Sequence, residues 1–502
     1  MKKRIVSIIL TLGLIATGLC GCGQGDSDKA KGETEEGNIE EITYAFATFT
    51  SVPTGTEEVE EAINEITEKE IGVHVNLLIL DPANYSQQIA LMISSKQDLD
   101  MFHTLGDLSQ YVASNEIMPL DELISEYGSD ITSIEPDYFM EAGVINGEQY
   151  GIPFYMGKAL APTVIFRQDI LDELKIDADT ITSFEELDKV YEKVHEAHPE
   201  LTILSPLNSG DCGIQYLSDN IDYLTDSHLT PTGVLIGDST EVQNYYETDE
   251  FEKIVKLARS WYDKGYVSSD AATTTMLASA EMSAGTSFSA IGGYAGMIPE
   301  SQFAAPADGS LGSARIGSAT ISTSDVNTLS RVISVNSKHA GAAMKFLNLC
   351  YTNKDIASLL TLGIEGRDYN VVDDTFVSYP EGQSMFTVPY NTILSASTSN
   401  QFIDGRILVG QDKTDTELQK TENDEAWRSQ AFGFTFDSTN VKTQYSAVNN
   451  VINQYLPGLV CGALNPDTEL ANFQKALEDA GINDIVKEKQ VQLDKWLSEA
   501  AK

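Results

Sequence analysis

Residues 42–80 read ITYAFATFTSVPTGTEEVEEAINEITEKEIGVHVNLLIL, and the succession of patterns inside that stretch decides the fold class. Ile42–Phe49 is a short apolar run rich in aromatic residues, the composition of a buried strand. Pro53 and Gly55 interrupt it. Thr56 then stands where a helix cap belongs, the helix places Val59, Ala62, Ile63 and Ile66 on one face, and Gly72 ends it. Val73–Leu80 follows as a second strand. The same alternation recurs downstream. Ser183 precedes Glu186 by three residues, the spacing of a capping box, and Leu187, Val190 and Val194 line the buried face until Pro199. Leu201–Leu204 is the next strand, and Asp249 is the expected cap of a helix that buries Phe251, Ile254, Val255, Ala258 and Trp261, with Gly265 after it. This β-α-β-α order predicts an α/β protein with mostly parallel sheets. There is no internal repeat.

The first residues are of another kind. Lys2, Lys3 and Arg4 precede an apolar run, Ile5–Leu19, that fits a secretory signal over residues 1–21. The run ends in Leu19-Cys20-Gly21-Cys22, which resembles the lipobox of bacterial lipoproteins. That resemblance implies lipidation of Cys22, since Cys20 has the large Leu19 in front of it. Two or more acyl chains anchor stably where one is marginal. Residues 23–38 contain no apolar side chain larger than alanine, so 22–40 is expected to be a flexible tether. Lipid, tether and body in that order place the working part outside the cell, on the outer face of the cytoplasmic membrane.

The body, from about Ile39 to Lys502, is too long for one simple core and suits two lobes. The formal net charge of −44 argues against nucleic acid and against attraction to anionic lipid, both of which need clustered Lys and Arg. Five cysteines leave Cys212, Cys350 and Cys461 in the body. They are far apart, odd in number and lack CxxC pairing, so one bridge at most is allowed and a zinc site is not indicated.

Motifs for covalent chemistry fail one by one. Gly285-Thr-Ser-Phe-Ser289 is similar to the nucleophile segment of subtilisin-like proteases. None of the six histidines is followed by glycine, however, and no Asp-Thr-Gly or Asp-Ser-Gly is present, so base and orienting acid are missing. His195 and His198 lie three apart on a helix without the glutamate and further ligand of a zinc protease, and no metal or cofactor is expected. Paired carboxylates leave no sequence spacing, so a surface glycoside hydrolase stays open as an alternative.

Asp98–His103, Met118-Pro-Leu-Asp-Glu-Leu123, Tyr150-Gly-Ile-Pro-Phe-Tyr155 and Val164–Ile170 occur in an order that resembles bacterial extracellular solute-binding proteins of the type II periplasmic-binding fold. Arg331–Ser337 and Ala342–Asn348 are similar to that family's return strand and helix. Gly363-Ile-Glu-Gly-Arg-Asp-Tyr369, Gly433-Phe-Thr-Phe-Asp437, Gln454-Tyr-Leu-Pro-Gly-Leu459 and Glu488-Lys-Gln-Val-Gln-Leu-Asp-Lys-Trp496 resemble the C-terminal region of a subgroup. In that subgroup glycine often stands where this chain has Ser399.

The resemblance implies two lobes with a hinge, 41–155 with about 325–395 and about 156–324 with 396–502. It implies a monomeric binding component of an ABC importer that closes on a solute without chemistry. A carbohydrate is the expected ligand, with a peptide as alternative. Family position and side-chain chemistry nominate Phe49, Thr50, His103, Thr104, Tyr155, Tyr294 and Asn400 as ligand-binding residues. Tyr155 and Tyr294 are the expected stacking rings, with Thr50, His103 and Asn400 as hydroxyl partners. Trp261 and Trp496 fall on apolar helix faces and read as core, whereas Trp427 sits in a polar stretch.

Overall fold

The computed structural model describes residues 39–500 apart from 107, 219, 297–302, 308, 394–398, 404, 405 and 412. The expected leader, the lipidation site Cys22 and most of the tether lie outside the described residues. Eight strands form the two principal sheets: β1 (Glu40–Ala47), β2 (Val73–Leu80), β3 (Met101–His103), β4 (Ala161–Arg167), β5 (Thr202–Leu204), β6 (Ser287–Tyr294), β7 (Leu311–Arg315) and β8 (Arg331–Ile333).

The opening stretch folds as its pattern dictates. Strand β1 pairs with β2 in parallel, Ile42 opposite Val75, across the helix Thr56–Ile71 that buries Val59 and Ile63. That helix ends at Gly72, whose φ of +68° is the left-handed conformation glycine adopts without cost. Its start differs from the expectation. Gly55 occupies the cap position, and the Thr56 hydroxyl donates to the Pro53 carbonyl instead of capping. Thr248, not Asp249, caps the helix Asp249–Asp263 through the Phe251 N–H. The Ser183 hydroxyl accepts from Glu186 N–H as expected, but the Glu186 carboxylate reaches the Thr182 N–H, one residue early.

The first sheet runs β8-β3-β1-β2, with only β8 antiparallel. The second runs β7-β4-β6-β5 and is mixed: β4 is antiparallel to both β6 and β7. Here the expectation of mostly parallel strands fails for a topological reason. Strand β4 brings the chain in from the first sheet and its neighbour β7 takes it back, so the two run in opposite directions.

Each sheet has its own core. Tyr44, Phe46, Ile63 and Phe346 pack on one face of the first sheet, and Phe102, Tyr85 and Ile89 on the other. Val164, Phe166, Tyr191, Trp261 and Phe288 build the second core, which also takes Ile452, Leu456, Phe473, Leu477 and Leu493 from helices Lys442–Val460, Pro466–Ala480 and Ile482–Ala500. Phe402, Ala426 and Phe432 pack against the first core. Among the described residues no helix is long and apolar enough to cross a membrane.

The C-terminal motif residues hold the last helix to the second half. The Lys489 ammonium is fully buried and lies 2.7 Å from Asp226 Oδ2, also donating to the Gly233 carbonyl. Gln490 and Gln492 bond to Thr240, Val242 and Asp437, and Trp496 meets Phe434 edge-on at 6.1 Å.

Candidate functional site

Four segments, 155–160, 319–321, 399–401 and 423–427, meet between the sheets. Leu160 and Thr320 exchange backbone hydrogen bonds of 2.8 and 2.9 Å, and Ala319 and Ile321 bond to Trp427 at 3.0 Å. Tyr155 pairs with Ser399 and Gln401. The Asn423 side chain ties them, accepting from Lys158 and Ala159 N–H and donating to the Met156 carbonyl. The bends between the sheets are thus concentrated in a few backbone positions, as a hinge requires.

Beside these crossings lies a pocket of about 420 Å³. Gly106 and Thr328 come from loops at the edge of the first sheet, Leu160 and Thr320 from the crossings, and Tyr216, Tyr223, Asp226 and His228 from the second half. Its remaining polar lining is mostly hydroxyl: Ser218, Thr225, Ser227, Ser318, Ser322 and Ser324. A neighbouring pocket of about 330 Å³ is lined by Asn208, Tyr294, Phe303 and again Tyr216, so one ring serves both.

Neither lining contains a Lys or Arg, and the undescribed positions between 39 and 500 contain none either. The two carboxylates are committed to structure. Asp226 accepts from Lys489, Thr232 and Tyr445, while Asp325 closes a capping box with Ser322 and burial pushes its pKa up. Burial likewise lowers the His228 pKa, which favours the neutral imidazole, and Nε2 shares a 2.7 Å hydrogen bond with the Tyr216 hydroxyl.

Two glycines make room for the rings. A methyl group on Gly293 would sit 2.6 Å from the Tyr216 ring, and one on Gly292 would sit 2.6 Å from Tyr294. Tyr216 rides on a short turn, Ile214–Leu217, that starts at Gly213 with φ +71°. A Cβ there would collide with the Ile291 carbonyl at 1.7 Å, so the turn lies directly on β6.

Of the residues nominated from sequence, Tyr294 lines the second pocket. The others line neither. Tyr155 is buried, with ring centroids 5.6 Å from Phe139 and 4.8 Å from Phe402, and so packs the hinge. Asn400 is buried beside it, donating to the Tyr351 carbonyl and accepting from Phe402 N–H. His103 is fully buried and its Nε2 accepts from the Ala47 N–H. Thr104 is buried and bonds to Asn327 and Ser330 carbonyls. Thr50 donates to the Asn391 carbonyl, and Phe49, 44% exposed, lies with it past the end of β1. Ser287 and Ser289 are buried in β6, where Ser289 donates to the Ile203 carbonyl. His195 packs on Tyr266 and His198 faces Glu173 and Glu200. No group of three metal-ligating side chains occurs among the described residues.

The burial of His103 has a pH signature. Desolvation holds its pKa well below the ordinary value, with Arg331 and Lys158 adding to the effect. The folded state keeps the ring neutral, while the unfolded chain takes up a proton near pH 6.5. Stability contributed this way is present above pH 6.5 and lost as pH falls below it, by as much as about 1.4 kcal/mol per pH unit. His103→Gln retains an acceptor and should flatten that slope in denaturant titrations at pH 7.5, 6.5 and 5.5. An unchanged slope would mean the imidazole protonates in place.

Two α/β halves, joined by crossing segments around a hydroxyl-lined pocket, define a two-lobed binding protein. The profile of the family described as bacterial extracellular solute-binding protein matches residues 61–364, and the chain belongs to that family. A second profile, of a domain of unknown function, matches residues 430–498. A carbohydrate ABC transporter substrate-binding protein of Streptococcus pneumoniae is 25% identical over 505 residues, which cover 96% of either chain. The N-glycan transport solute binding protein of the same organism superposes with a TM-score of 0.80 at 24% identity, covering 91% of this chain and 99% of that one. Its complex with Man1GlcNAc superposes at 0.72, again at 24% identity and covering 91% and 100%. The relatives are substrate- and solute-binding proteins of transport systems, and this chain is a solute-binding protein rather than an enzyme.

Proposed function

We propose that the chain is the binding component of an ABC importer for a neutral oligosaccharide, held between two lobes that close on it. The carrying observation is the lining of the paired pockets. Tyr216, Tyr223 and Tyr294 bring aromatic rings suited to the apolar side of a sugar, and clustered serine and threonine hydroxyls match its rim. The absence of Lys and Arg from both linings disfavours uronate, sialylated or phosphorylated glycans, which need charge-assisted partners. It disfavours peptides as well, because a peptide carboxylate needs the same. Two pockets sharing one ring suit a ligand of more than one residue. The names of the relatives, which speak of carbohydrate and N-glycan transport, point the same way.

The lobes are proposed as 41–155 with about 325–395 and about 156–324 with 396–502, the segment around Phe402 returning to the first. The protein is proposed to act as a monomer, anchored through lipid on Cys22 at the outer face of the membrane. The test is a thermal-shift panel of mannose- and N-acetylglucosamine-containing oligosaccharides, uronate oligosaccharides and short peptides. Ligands that bind only the folded state raise the melting temperature by mass action. Neutral oligosaccharides are expected to do so; a response confined to uronates or peptides would overturn the assignment.

A further inference from the structure

We propose that Cys212 and Cys461 are joined by a disulfide in the exported protein, and that this bridge fixes the turn carrying Tyr216 to the C-terminal helices. The two sulfurs lie 3.1 Å apart, both thiols are buried, and 249 positions separate them in the chain. Bond formation needs the sulfurs to approach by only about 1 Å more, within reach of small side-chain rotations.

The surrounding backbone holds the pair in place. Asp211 accepts from the Gly213 N–H at 2.8 Å, and Gly213 lies hard against the Ile291 carbonyl. Cys461 ends the helix Lys442–Val460, its N–H donating to the Pro457 carbonyl. Gly462, next to it, approaches the Ala258 carbonyl so closely that a Cβ would be 2.3 Å away. Cys350 belongs to the other core, packed with Tyr44 and Phe346, apart from the Cys212–Cys461 pair. The odd cysteine number thus resolves into one pair and one separate thiol.

The chemistry balances as thiol–disulfide exchange. The thiols of Cys212 and Cys461 lose two protons and two electrons as the S–S bond forms, and a disulfide oxidant of the export compartment is reduced to two thiols. Membership in an extracellular family places the chain where such bonds persist. Because the pair ends up inside the second core, the bond forms during folding. It then restricts the unfolded chain across a very long loop, which is where a crosslink limits that state most. The consequence for the site lies in the turn Ile214–Leu217, which begins two residues after Cys212.

The full chain, purified from the envelope of cells that export it, is denatured with an alkylating reagent before and after reduction and then digested. Without reductant, the Cys350 peptide is expected to be alkylated, and the Cys212 and Cys461 peptides to appear as one crosslinked species. After reduction all three should be alkylated. Alkylation of both Cys212 and Cys461 without reductant would overturn the proposal, as would a crosslink that includes Cys350. A Cys461→Ala chain should leave Cys212 alkylated without reductant, and a Cys212–Cys350 crosslink in it would count against the assigned pairing. Ligand binding plays no part in the readout, so its outcome is independent of the sugar assignment.

Discussion

Replacing Tyr216 with alanine is expected to weaken oligosaccharide binding by roughly thirtyfold or more while leaving the unliganded protein folded. Among the described residues its side chain alone lines both pockets, and its hydroxyl is anchored on His228. A buried aromatic anchor of this kind costs about 2 kcal/mol or more when truncated, and about 1.4 kcal/mol is a factor of ten. Gly293→Ala reaches the same ring from below. The added methyl would stand 2.6 Å from the Tyr216 ring, which must move, and roughly a tenfold loss of affinity is expected. Calorimetric titration with an oligosaccharide that stabilises the parent measures both. Parent-like affinity in both variants would remove Tyr216 from the site.

Tyr155→Ala is expected to do the opposite. The ring is enclosed by Phe139 and Phe402, so truncation leaves a cavity in the first core beside the crossings. Removing a buried aromatic ring costs about 3–5 kcal/mol of folding stability. Denaturant unfolding should show a clearly lowered midpoint with the slope retained. Residual folded protein should bind oligosaccharide with nearly the parent affinity. A large affinity loss without a stability loss would return Tyr155 to the ligand.

The contrast between these two tyrosines shows what the sequence made legible. Apolar runs exposed strands β1 and β2, and helical periodicity exposed the helix between them, which buries Val59 and Ile63 on one face. Motif order exposed the family and the hinge region. The residues that line the first pocket were hidden for a physical reason. Tyr216, Tyr223 and His228 lie on irregular backbone between β5 and β6, where no periodicity separates a ring facing a pocket from one facing a core. One signal the sequence does carry is Gly292-Gly293, small residues that admit the rings of Tyr294 and Tyr216. His103, at the end of β3, and Asn400, in the bridge to Tyr155, line neither pocket because their polar side chains satisfy backbone groups inward. The mixed second sheet was equally unreadable, since strand direction depends on where the chain crosses back.

Closure of the two lobes over a neutral oligosaccharide is tested most directly by small-angle scattering of the protein with and without a saturating, stabilising oligosaccharide. The pocket between the sheets draws its lining from both halves and from the crossings, so occupancy is expected to bring the halves together and shrink the radius of gyration. An unchanged radius under conditions where calorimetry confirms full occupancy would contradict closure and place the sugar on a rigid surface instead.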